Sequence, residues 1–131
     1  MMASVFPTEG AETALSDEEC RTLLRSRTLG RVALVSGALP VIIPVEYVYD
    51  ETSITFRAEH DAKLRAVAPG DVFAFEVDAY DAETGDVSSV HVLGRTSLFT
   101  HTTDDEPPAT HAYVRLICEI VSGRRVRSPL V

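Results

Sequence analysis

The sequence predicts a mainly β protein: a six-stranded antiparallel barrel carrying two short helices. Three observations lead there. Six segments alternate apolar and polar residues with a period of two. The connections between them are too short for parallel crossovers. Closing six strands into a barrel also removes the edges that an open sheet would expose. With 131 residues, 45% of them hydrophobic, the chain is expected to form one domain over residues 15–131. Residues 1–14 are small and polar without periodicity, and are expected to be a disordered tail.

The first element is a helix. Ser16 is placed as its N-cap with Glu19 three residues on, the two halves of a capping box, and Leu15 is placed as the hydrophobic staple. Cys20, Leu23 and Leu24 form its apolar stripe. Arg25 and Arg27 suit its C-terminal end, where the helix dipole is negative, and Gly30 ends the region. From there the period changes from 3.6 to 2. Strands are expected at Arg31–Val35, Val41–Tyr49 and Ile54–Glu59, joined by turns at Ser36-Gly37 and Asp50–Ser53. Asp61 is placed as the cap of a brief helix running through Val67 and stopped by Pro69-Gly70. The fourth strand is Val72–Asp78, with Phe73, Phe75 and Val77 on one face. A long fifth strand spans Val87–Phe99, with Gly94 suiting a bend or bulge at a barrel corner. After an acidic, proline-containing loop at 101–110, a sixth strand is expected at Tyr113–Val121, with Val114, Leu116, Cys118 and Ile120 on its apolar face.

Charge and motifs exclude several functions. Twenty acidic residues against 12 basic ones give a net charge of −8, which argues against nucleic acid as a partner, because phosphate binding needs a basic face. No apolar run approaches the roughly 20 residues of a membrane span, and the N-terminus lacks the basic and apolar regions of a signal peptide. Cys20 and Cys118 make neither a disulfide framework nor a zinc pattern, so a reduced, cytoplasmic location is expected. His60, His91, His101 and His111 have no metal-ligand spacing, and no metal is expected. Neither a nucleophile elbow nor a phosphate-binding glycine loop is present, and no catalytic acid or base is assigned.

Two anomalies remain. Pro44 interrupts VIIPVEYVY, otherwise the clearest strand in the chain. Proline cannot donate to a ladder, so it marks either a protected edge or a strand whose neighbouring backbone groups are free for a flat ligand. Lys63 is the only lysine in the chain and falls at a helix start, where a cation is poorly placed unless an anion sits beside it. Arg57 could offer a planar fork to the same anion. The alternative is a solvated lysine, with Arg57 paired to Glu59 or Asp61.

The ordered set EEC, LGRVALV, PVIIPVEYVYD, ITFRAEHDAKL, FAFEVD, VHVLGR and ICEIVSGRR, spanning about residues 15–127, resembles the pyridoxamine 5′-phosphate oxidase-like flavoproteins. The short actinobacterial-type members, with an FMN-binding split barrel, are the nearest in pattern. The resemblance implies that the strand matching Ile42–Tyr47, with Ile43, Pro44 and Val45 at its centre, lines the flavin with its backbone. It also implies that Arg57 and Ala58 contact the cofactor, that Lys63 binds the FMN phosphate, and that Ser89 is a polar flavin contact. Arg124 and Arg125 match a C-terminal segment that can approach the site. Ser88-Ser89 stands where relatives often have Trp-Ser, which removes a stacking contact. The vitamin oxidase's substrate-binding pattern is not recognisable. A homodimer with FMN between its subunits, oxidising or reducing a small molecule, is the function so implied. A deazaflavin or haem in the same cleft, or a non-catalytic flavin-binding or sensing module, are the alternatives.

Overall fold

The computed structural model describes residues 12–127. Its elements are β1 (Glu12–Ala14), α1 (Asp17–Ser26), β2 (Leu29–Ser36), β3 (Leu39–Tyr49), β4 (Ser53–Arg57), α2 (Ala62–Arg65), β5 (Val72–Tyr80), β6 (Val87–Thr102), β7 (Thr110–Ile117) and β8 (Ile120–Val126). The strands follow the order β1-β8-β6-β5-β2-β3-β4-β7, and β6 also pairs with β7. Six strands therefore close into the expected antiparallel barrel, and β8 and β1 extend it from β6. No helix among the described residues is long and apolar enough to cross a membrane.

Alternation in the sequence becomes a sealed interior. Val32, Ile54, Phe56, Phe75, Val90, Val114 and Leu116 are all at most 2% exposed. Tyr47 meets Phe75 edge to face with ring centroids 4.8 Å apart. The Tyr47 hydroxyl donates to the Leu24 carbonyl at 2.7 Å, tying α1 to the barrel. Burial pushes that phenol up to about 12. The capping box is present: Glu19 N donates to Ser16 Oγ at 3.1 Å and Ser16 N to Glu19 Oε1 at 3.0 Å.

Three expectations need correction. The sixth strand is two strands. Alternation holds through Leu116, then Cys118 and Glu119 break it, so Ile120 is 60% exposed on the outer face instead of inside. Cys118 is half-buried in this link, where its N–H donates to the Thr52 carbonyl at 2.9 Å. Burial pushes its thiol up to about 11, away from nucleophilic use. The second helix ends at Arg65, short of Val67. Residues 12–14 of the expected tail pair with β8, Glu12 opposite Val126; residues 1–11 lie outside the described residues.

The barrel turns its corner within β6. Val87–Arg95 pairs with β5 and Thr96–Thr102 with β7. Gly94 sits at the join, pressed against the β7–β8 link, and a Cβ there would lie 1.8 Å from the Ile117 carbonyl oxygen. Glu119 of that link accepts from Arg95 N at 2.9 Å and Arg95 Nε at 2.8 Å. Only glycine allows so close an approach.

Candidate functional site

The site follows from how β3 divides its pairing. Residues Leu39–Glu46 pair with β2, whereas β4 joins the other edge only at Tyr47–Tyr49. Before Tyr47 no described strand pairs with that other edge. Pro44, opposite Arg31 of β2, is tolerated on such a one-sided strand despite its missing N–H. The gap between this edge and the β4–α2 connection is a cleft of about 570 Å³. Ile43, Pro44, Val45, Glu46, Arg57, His60, Asp61 and Leu64 line it. That volume suits a medium-sized organic ligand. Val45 and Leu64 are buried and give the cleft an apolar floor. The chemistry of this lining fits the group that the sequence resemblance implies: strand backbone and apolar side chains for a flat ring, and one arginine for an anionic tail.

Four of the seven sequence-assigned residues converge here: Ile43, Pro44, Val45 and Arg57. Ala58 lies directly behind, fully buried, its N–H donating to the Ala112 carbonyl at 2.9 Å. Lys63 is exposed on α2 and is not among the lining residues. Ser89 is elsewhere, on β6 opposite Asp78 and Arg124. The anion donors expected at the start of α2 are also taken. Asp61 Oδ1 accepts from Lys63 N at 2.8 Å and from Leu64 N at 3.4 Å, so the cap itself supplies the negative charge.

Arg57 is likewise engaged. Its Nε donates to Glu59 Oε1 at 2.8 Å, and its Nη2 reaches the same oxygen. Glu59 Oε2 accepts from Ala112 N at 2.9 Å. His111 Nδ1 lies 2.6 Å from Glu59 Oε1 and 2.8 Å from Arg57 Nη2. Partial burial pushes the Glu59 carboxyl up, but hydrogen bonds from Arg57, Ala112 N–H and His111 outweigh it and hold the group at about 2. A carboxyl depressed on folding stabilises the fold above its unfolded value near 4.5, and that contribution disappears as pH falls through about 2. Thermal melts of wild type and Glu59→Gln are therefore expected to converge between pH 4.5 and 2. A constant gap across that window would show that Glu59 is not held this way.

The strand Ile42–Tyr47 already included Glu46, and the alternative pairing of Arg57 with Glu59 is the one the structure shows. The sequence reading missed His60, Asp61 and Leu64 as lining residues and His111 as the second neighbour of Arg57. Leu64 carried a usable signal, the lone large apolar side chain within EHDAKLR. His111 carried none, because it meets Glu59 only through the pairing of β4 with β7 that sets Arg57 opposite Tyr113.

Comparison with known proteins agrees with this architecture. The family model described as pyridoxamine 5′-phosphate oxidase matches residues 16–124. No curated protein matches the chain. Among solved structures, the FAD binding protein from Mycobacterium smegmatis is 32% identical, with a TM-score of 0.67 over 89% of this chain and 100% of the other. A FAD-binding protein from Mesorhizobium loti is 22% identical, with a TM-score of 0.69 over 88% of this chain and 98% of the other. The FAD and haem binding protein from Mycobacterium smegmatis is 17% identical, with a TM-score of 0.69 over 89% of this chain and 73% of the other. The last two likenesses carry the fold alone.

Proposed function

Because the chain belongs to the pyridoxamine 5′-phosphate oxidase family, we propose that it binds a flavin nucleotide, FMN, in the β3–β4–α2 cleft and uses it to oxidise or reduce a small molecule. The observation that carries this reading is the edge of β3 at Ile43–Glu46, unpaired among the described residues and lining with Arg57 a cleft of about 570 Å³. The flavin supplies the redox chemistry; the protein supplies position and electrostatics. Backbone groups of Ile43–Glu46 are suited to hydrogen-bond the polar rim of the ring, Val45 and Leu64 to pack beneath it, and Arg57 to face the ligand's anionic end. The 32% identical FAD binding protein favours a second reading, in which the dinucleotide FAD takes the same cleft. Equilibrium titration with FMN and with FAD, followed by flavin fluorescence, separates the two. Glu46 is exposed and lines the cleft, so Glu46→Trp narrows it without disturbing the core. It is expected to weaken flavin binding about tenfold or more; unchanged affinity would put the flavin elsewhere.

The proposed working form is a homodimer. One apolar row crosses the outer face of the sheet: Ile42 beside Ala33, Ala33 beside Ala74, Ala74 beside Leu93, Leu93 beside Ile120. Ile42 is 70% exposed, Leu93 43% and Ile120 60%. The next row is charged but internally satisfied: Arg31 pairs with Glu76 at 3.0 Å and Asp78 at 2.5 Å, and His91 with Glu76 at 2.8 Å. An apolar strip with its neighbouring charges already paired favours a second copy of the same surface over a charged partner. Such a partner also offers a route for Ser89 and Arg124, remote from the cleft of their own chain, to approach the other one.

A further inference from the structure

Among the described residues, Arg57 is the one arginine or lysine that lines the cleft, and a carboxylate of its own chain already occupies it. Both Nε and Nη2 point to Glu59 Oε1. Glu59 cannot easily withdraw, because Ala112 N holds its other oxygen at 2.9 Å and His111 Nδ1 lies 2.6 Å from the first. His111 can serve only one neighbour through that nitrogen. With a proton on Nδ1 it donates to Glu59; without one it accepts from Arg57 Nη2, 2.8 Å away. Either way the Nε–Nη2 edge of the guanidinium stays turned to Glu59. Nη1 has no hydrogen-bond partner among the described residues, so an arriving anion meets one open nitrogen on a charge that is already balanced. The remaining ionisable lining adds no cation except through His60: Glu46 and Asp61 are acids.

We propose that Glu59 is a specificity-determining residue of this cleft: an internal anion on Arg57 that opposes the phosphate of a flavin nucleotide and narrows the preference for phosphorylated over unphosphorylated flavin. The inference rests on the flavin reading above. A phosphate ester brings a charge of about −1.5 to −2 at neutral pH. Placed against Nη1, it stands one guanidinium away from the Glu59 carboxylate. Repulsion across that distance offsets much of what Arg57 offers, and solvent moderates it because Arg57 is 44% exposed and Glu59 24% exposed. A second account gives the opposite sign. If Glu59 served to aim Arg57 at the phosphate, its removal would weaken phosphate binding.

The test is the ratio of FMN to riboflavin affinity, measured by fluorescence titration in wild type, Glu59→Gln and Glu59→Asp. Glutamine keeps a carbonyl for Ala112 N–H and removes the charge; aspartate keeps the charge and shortens the reach. In Glu59→Gln the ratio is expected to rise about 3- to 30-fold, with riboflavin affinity within about twofold of wild type. In Glu59→Asp the ratio is expected to stay near the wild-type value. A ratio that falls or does not move in Glu59→Gln overturns the inference while leaving the flavin reading intact. A wild type that takes up none of riboflavin, FMN and FAD overturns that reading and this inference with it. Should Glu59→Gln fail to fold, an increase in Glu59→Asp as large as that expected for glutamine would overturn the charge argument.

Discussion

Gly94→Ala is expected to destabilise the fold by about 3 kcal/mol or more, because the new methyl group meets backbone and not a movable side chain. The built Cβ lies 1.8 Å from the Ile117 carbonyl oxygen and 2.9 Å from its carbonyl carbon. Relief requires the β7–β8 link to move, and that link is fixed on both sides. Cys118 N–H is bonded to Thr52 O at 2.9 Å, and Glu119 holds Arg95. Thr96, the next residue but one, is pinned by its own N–H and hydroxyl to the Asp71 carbonyl at 2.9 and 2.8 Å. A domain of this size has roughly 5–15 kcal/mol of stability to lose, and the melting temperature is expected to fall by about 10 °C or more. Gly37 makes a useful control despite its positive φ, since nothing lies within 4 Å of its built Cβ; alanine there meets only backbone strain, about 1 kcal/mol. Equal melting temperatures for the two variants would mean that the β6 corner is not packed as described.

Ile42→Asp is expected to convert the protein from dimer to monomer. In a two-fold interface each substitution is present twice, so two carboxylates would enter the apolar row across β3, β2, β5, β6 and β8. With about 2 kcal/mol lost at each site, the dimer weakens by roughly a thousandfold. Ile42 is 70% exposed, so the isolated chain should keep its fold, with a melting temperature lower only by what association adds to the wild type. Light scattering is expected to give twice the 14.3 kDa chain mass for wild type and the chain mass for the variant. A wild type that is monomeric at micromolar concentration, or a variant that remains dimeric, contradicts this use of the face.

Much of the barrel was legible because its strands are half-buried and the pattern of each is local. Phe73, Phe75 and Val77 alternate in sequence and are all buried. The capping box needed only Ser16 and Glu19. The split of the last strand was not legible, since CEIVSG continues the apolar run past Leu116. What turns the chain there is the long-range approach of Gly94 to Ile117, together with the hold of Glu119 on Arg95. The cleft was half legible for the same reason. Pro44 announced a one-sided strand by its own chemistry, and Arg57 is a charge at the end of a strand. Whether that charge is free depends on Glu59, and Glu59 is held by Ala112 and His111, more than 50 residues further along the chain. Sequence spacing offers Glu59 to Arg57, two residues away, but carries no trace of the Ala112 and His111 contacts that fix it there. Lys63 is exposed beside a helix start that Asp61 already caps, outside the lining of its own chain's cleft.

The central claim is that the β3–β4–α2 cleft holds a flavin, and the most direct test is the visible absorption spectrum of the purified protein after saturation with FMN or FAD and removal of free ligand. The expected result is the two-banded spectrum of a bound oxidised flavin at one equivalent per chain in wild type, with the bound fraction sharply reduced in Glu46→Trp. A colourless wild type after desalting, a haem Soret band or deazaflavin absorption in the protein as isolated, or undiminished flavin in Glu46→Trp would contradict it.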